Sequence, residues 1–306
     1  MSEVAPMTEA SPEPTQEEEE ATKRGLGIAA WLAIGWLGCM VFLAVSASFL
    51  PLDDPINGSI RETPGVSYFT EGHIFGNDLL GRDTLARVVV GTSTSLSIAA
   101  LSIGFGTLIG GFVGLVAGYV GGRIGTALSA MFDILLAFPP LLLALTLVSV
   151  LSPVTETDPP SRIKRMLVVA LAVGLVSIPI LARITRANAL SWSQREFVMA
   201  AKSQGAKPFR IMLREVLPNV VPAMLSVALL GLASVIIVEG GLALFGLSIN
   251  PPDPSWGNMV ASQVDDLGET PHVWIVPSVF IFLSVMSLNL LGDVVRDKFA
   301  VREAAI

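Results

Sequence analysis

Long stretches without a charged side chain constrain this sequence more than any other feature. A helix crossing the roughly 30 Å hydrocarbon layer of a bilayer needs about 20 mostly apolar residues. Six stretches meet that need, at about 25–49, 90–120, 124–151, 166–185, 219–246 and 273–293. Asp133 and Glu239 are the two acids in their interiors, with Arg183 and Asp293 at the ends of the fourth and sixth. With 52% hydrophobic and 15% charged residues, the chain lacks the polar surface of a soluble domain, which carries about 25% charge. The expected fold is therefore an all-α polytopic membrane protein with six transmembrane helices.

The first stretch is too long for the 7–15-residue apolar core of a cleavable signal, and an acidic leader precedes it. That leader, residues 1–24, is rich in Pro, Glu, Thr and Ser without an aromatic residue, the composition of a disordered tail. It supplies most of the net charge of −7, so the acidity is no surface property of a folded domain. Residues 25–306 form the expected transmembrane domain. Lys and Arg favour cytoplasmic loops. With the leader inside, 13 of the 19 basic residues fall on the cytoplasmic side. The expected orientation is N-in and C-in.

Several enzyme and binding classes are excluded. A phosphate-binding loop requires Gly directly before Lys, and the five lysines follow Thr22, Ile163, Ala201, Ala206 and Asp297. One cysteine, Cys39, cannot form an internal disulfide or a Cys-based zinc site. His73 and His272 are the two histidines, which without further ligands make no metal site. The acidic balance argues against nucleic acid as a partner. The expectation is a chain that catalyses nothing and holds no cofactor or metal of its own.

Within the second stretch, after a hydroxyl-rich start at Thr92–Ser97, glycine recurs at Gly106, Gly110, Gly114, Gly118 and Gly122. Residues four apart share a helix face, so the row makes a stripe that lets two backbones approach closely. It either packs a helix within this subunit or faces a partner helix or the transport path. Asp133 and Glu239 have the same two-sided reading. An ionised group in a span is costly, so each either lines a path or proton relay or bonds to a polar group inside the bundle.

The link at about 187–218 is basic and largely helix-forming. Phe197–Lys202 reads as a helix that Gly205 ends, and Pro208 opens a second short helix, as suits a residue without an N–H. Ala200-Ala201, then Gly205, then Leu217-Pro218 resembles the EAA signature of permease subunits of binding-protein-dependent ABC importers, with Met199 at the signature's leading Glu and Glu215 at its Ile. Glu196 stands just upstream. Further elements resemble the C-type permease of the dipeptide/oligopeptide/nickel branch. These are Phe75–Asp83 (FGNDLLGRD), Phe132–Pro139 (FDILLAFP), Glu239 with Leu244–Leu247 and Pro251–Met259 (PPDPSWGNM), and Leu288–Asp297.

The resemblance covers about residues 70–300 and implies a type I importer permease in the bacterial inner membrane. It implies a homologous B-type permease, two ABC ATPase subunits that bind ATP and Mg, an extracytoplasmic substrate-binding protein, and surrounding membrane lipid. It implies a di- or oligopeptide substrate, or else nickel or another small solute. The 187–218 loop would couple to the ATPase through Glu196, Ala200, Ala201, Gly205, Arg210, Arg214, Leu217 and Pro218. A proton-coupled carrier using Asp133 and Glu239 is the alternative from a different class.

Overall fold

The computed structural model describes residues 27–58, 65, 67–69, 73–151, 161–264, 268 and 270–304; the acidic leader at 1–24 lies outside them. The described residues form ten α-helices. They are α1 (Ile28–Ser46), α2 (Thr84–Val120), α3 (Gly122–Leu136), α4 (Pro140–Leu151), α5 (Arg162–Ser193), α6 (Glu196–Ser203), α7 (Pro208–Ile211), α8 (Leu217–Leu244), α9 (Trp256–Ala261) and α10 (Pro271–Ala304). A π-turn, Met212–Val216, joins α7 to α8. Five helices are long and apolar enough to cross a membrane, or six where α3 and α4 count as one bent span.

The sequence expects a continuous helix at 124–151, and the structure differs there. α3 and α4 meet at 87° because of Phe138-Pro139-Pro140. A residue before proline is pushed out of the α region, and the two prolines have no N–H to continue the ladder. Composition alone ran the two together, because a broken apolar segment is as apolar as a straight one. Helices also extend past their apolar stretches. α5 runs on to Ser193, so the first residues of the expected coupling loop belong to a 32-residue helix.

α2 and α5 form the most extensive helix pair, and α8 packs on both. Ser102 donates to the Ala170 carbonyl at 3.0 Å inside the α2–α5 seam. Further along it, a Cβ on Gly110 would lie 2.7 Å from the Ile178 carbonyl oxygen, and one on Gly118 would lie 2.6 Å from that of Arg186. Glycine is required at both positions for this approach. Gly122 is separate from the stripe: it opens α3 with φ +56° and open space around it. Half of the most apolar stretch of α2 is buried, against 17% for α1, so α2 is central and α1 peripheral. α1 docks on α10, where Trp36 Nε1 donates to Ser284 Oγ at 3.1 Å.

Candidate functional site: the two ends of the bundle and the groove between them

α2 has 37 residues and spans about 55 Å at 1.5 Å per residue. It begins beside α9 and ends beside α6, so these short helices mark opposite ends of the bundle.

At the α6 end, α6 closes in a Schellman turn. Gly205 takes φ +79°, its N–H donates to the Lys202 carbonyl, and the Ala206 N–H donates to that of Ala201. This left-handed turn suits glycine, which has no Cβ to clash. The π-turn follows from Pro218: without an N–H it cannot serve the carbonyl of Arg214, four residues back. The Leu217 N–H reaches back to Met212, and Asn219 Nδ2 takes the Glu215 carbonyl at 2.6 Å. Leu115, Ala189, Trp192, Val198, Ile211, Met212, Val216 and Val220 pack into a small core that anchors this element on α2, α5 and α8.

The opposite face of the element is exposed. Glu196, Ala200, Gly205, Arg210, Arg214 and Pro218 are exposed, and Ala201 and Leu217 are half-buried. Among them stand Met199, 51% exposed, and Phe209, 63% exposed. No Cβ contact lies within 4 Å of Gly205. Lys202 sits over the Tyr119 ring and Arg195 over the Trp192 ring, so these cations are held at the element's margins.

At the α9 end the polar residues turn inward. Glu239 on α8 is 1% exposed, and its Oε1 accepts from Ser248 Oγ at 2.5 Å and Ser255 Oγ at 2.8 Å. Its other oxygen faces Gly257, where a Cβ would come within 2.5 Å. Ser255 also caps α9 in a reciprocal box with Asn258. Trp256 is fully buried: its backbone N–H donates to Ser95 Oγ at 3.0 Å and its indole N–H to the Val88 carbonyl at 3.2 Å. From its amphipathic indole Trp256 is expected at the headgroup level, and instead it joins α9 to the core. The sequence missed this because both partners of the Trp are more than 150 positions away in the chain.

Around this knot, Asp78 accepts from the Arg82 side chain at 2.7 Å and from the Leu80 and Arg82 N–H groups. Buried Arg87 donates to the Pro55 and Pro252 carbonyls, and buried Arg165 Nε donates to that of Ser248 at 2.8 Å. Asp83 caps α2 through the Ala86 N–H and meets His73 Nδ1 at 2.7 Å. Asp53, His73 and Asp83 have ligand-type atoms within 4.8 Å of one another, but both Asp83 oxygens already accept hydrogen bonds. His272 Nε2 is 2.8 Å from the Asn77 carbonyl oxygen.

Asp133 lies apart from Glu239. Its side chain is 62% exposed on α3, with Arg183 Nη1 at 3.9 Å. Between the ends, α2, α4, α5 and α8 wall a cavity of about 370 Å³. It is lined by Ile103, Ala144, Val173, Leu230 and Val235, with Ser177 and Ser234 as its hydroxyls. Neither acid lines it.

Comparison with known proteins gives one consistent result. Residues 110–303 match the family of binding-protein-dependent transport system inner membrane components. The chain is 39% identical over 225 residues to the glutathione transport system permease protein GsiD of Escherichia coli O6:K15:H31, covering 74% of this chain and 71% of that one. It is 34% identical over 226 residues to the dipeptide transport system permease protein DppC of Alkalihalophilus pseudofirmus, covering 74% and 70%. The fold is similar to that of a chain in the inward-facing MetNI methionine ABC transporter, with a TM-score of 0.56 at 22% identity, covering 71% of this chain and 97% of that one.

The family works with a separate ATPase and a substrate-binding protein, so ATP hydrolysis belongs to another subunit. The chain belongs to the binding-protein-dependent transport system inner membrane components: it is a membrane-embedded permease component of an ABC importer.

Proposed function

We propose that the chain is the C-type permease of an importer of di- or oligopeptides, paired with a homologous B-type permease and served by two ATPase subunits. Two relatives of the chain are named as dipeptide and glutathione transport permeases, and a dipeptide and a tripeptide share the peptide backbone chemistry. The observation that carries the coupling role is the exposed face of α6 and α7. Met199, Phe209 and the open Gly205 turn stand on it, while the buried side of the same element is packed on three long helices. A rigid element with an unfilled apolar face is suited to a cleft in an ATPase. Small Ala200, Ala201 and Gly205 allow close approach, Arg210 and Arg214 can pair with acids, and Leu217-Pro218 joins the element to α8. ATP-driven closure of the ATPase dimer would then shift the bundle between inward- and outward-open states. In this orientation the α6 end is cytoplasmic, as the distribution of Lys and Arg predicts.

Glu239 acts in this reading as an internal tie holding α9 to α8, and the glycine stripe as the α2–α5 seam. The proton-carrier alternative has no support in the geometry, since Asp133 and Glu239 have separate partners among the described residues. Gly205→Arg in the assembled complex tests the coupling role. The expected result is normal insertion with loss of both ATPase stimulation and peptide uptake; retention of both would remove the docking assignment.

A further inference from the structure

The hydroxyl-rich start of α2 has a use that coupling and packing do not explain. Arg162, half-buried at the start of α5, donates through one nitrogen to Thr94 Oγ1 at 2.5 Å, Ser93 Oγ at 3.1 Å and the Val90 carbonyl at 3.5 Å. A guanidinium has five N–H donors, and those on its other two nitrogens meet no acceptor among the described residues. No carboxylate pairs with it there either. Its acceptors are neutral, so they fix the side chain without cancelling its charge. Beside it lies a cavity of about 450 Å³ lined by Ser93, Ser97, Ser161, Arg162, Ile163 and Met166. Helix stability does not account for the cation, because a positive charge in a first turn opposes the helix dipole.

The cavity is in line with the mid-bundle groove. At 100° per residue, Arg162, Met166, Val173, Ser177 and Ile180 fall within about 60° of one another on α5. Arg162 and Met166 line the outer cavity, and Val173, Ser177 and Ile180 line the groove. One face of α5 thus runs about 27 Å from a fixed cation into an apolar-walled space with scattered hydroxyls.

We propose that Arg162, with the hydroxyl of Ser97, is a carboxylate-binding site at the α9 end of the transport route, and that it takes the carboxylate of the transported solute. The assignment rests on the peptide-import reading and deepens it. A free guanidinium N–H suits a charge-assisted hydrogen bond to a carboxylate, and neutral hydroxyl surroundings with no acid among the described residues leave the pairing weak enough to release. The solute would enter carboxylate first and slide along the α5 face.

Two measurements on the complete importer in proteoliposomes, in a Cys39→Ser background, test this. Ser97→Cys places a thiol on the cavity wall, and its modification rates are compared for an anionic and a cationic methanethiosulfonate. The expected anionic-over-cationic preference falls about tenfold on adding Arg162→Gln, as for a focused local charge, and is retained with Arg162→Lys. In parallel, ATP-driven uptake of radiolabelled dialanine with native Ser97 should fall about tenfold in Arg162→Gln and recover in part in Arg162→Lys. An unchanged preference, or a thiol that neither reagent reaches, overturns the site; a lipid phosphate already neutralising Arg162 would give the first of these. A changed preference with undiminished dialanine uptake leaves an anion site off the transport route and overturns the substrate assignment. Absence of dialanine uptake by the complex with native Arg162 overturns the dipeptide reading and the substrate assignment with it, while the reagent preference still decides whether the anion site exists.

Discussion

The two ends of this bundle handle their polar and apolar groups in opposite ways. At the α9 end, Glu239, Asp78, Arg87 and Arg165 are buried and bonded to hydroxyls, carbonyls or each other, while Trp256 fills the core between them. At the α6 end the charges point outward and Met199, Phe209 and Leu213 are exposed beside them. At the first end those buried groups find their partners within one chain. The second leaves apolar surface uncovered on two short helices of eight and four residues, which suits a docking element for a soluble subunit. The contrast also separates folding from coupling: damage at the α9 end should unfold, and damage at the α6 end should uncouple.

Substitutions at three positions probe that separation, in order of expected effect. Trp256→Ala empties a fully buried site and should cost about 4 kcal/mol, read as a large fall in the thermal inactivation midpoint of the purified complex. A small shift would mean that α9 is not held as described. Glu239→Ala strands the hydroxyls of Ser248 and Ser255 without their acceptor and should cost about 2 kcal/mol. Glu239→Gln keeps an acceptor oxygen and should lose less; equal losses would show that the second carboxyl oxygen, which faces Gly257, matters as much as the one that the two serines bond. Asp133→Asn should change stability by less than about 0.5 kcal/mol, because its pair with Arg183 is exposed and loose. A larger fall would place Asp133 in an interface with another subunit.

How much of this was legible in the sequence depends on the range of each interaction. The Gly106–Gly118 stripe was readable because a four-residue period is a property of one helix. Its partner was not, since nothing in α2 names Ile178 or Arg186 on α5. Gly205 and Pro208 punctuated the α6–α7 element by local backbone chemistry, so its helix–turn–helix outline was clear in advance. The π-turn before Pro218 was not, because the proline removes a donor without dictating which carbonyl the next N–H finds. Apolar runs located the spans but not the corner at Phe138–Pro140, where hydropathy is blind to direction. Glu239 was conspicuous as a lone acid in a span, yet whether it faced a path or the serines of the following segment depended on how that segment folds back. The Arg162 contacts, nearly 70 positions from Ser93 and Thr94, left no local signal.

The central claim, that the exposed face of α6 and α7 receives the ATPase, is tested most directly by photo-crosslinking in the assembled importer. A benzoylphenylalanine in place of Phe209 should give a single adduct with the ATPase subunit, and one in place of Leu80, 66% exposed near the α9 end, should give none with it. An ATPase adduct from position 80 and none from position 209 would contradict the account.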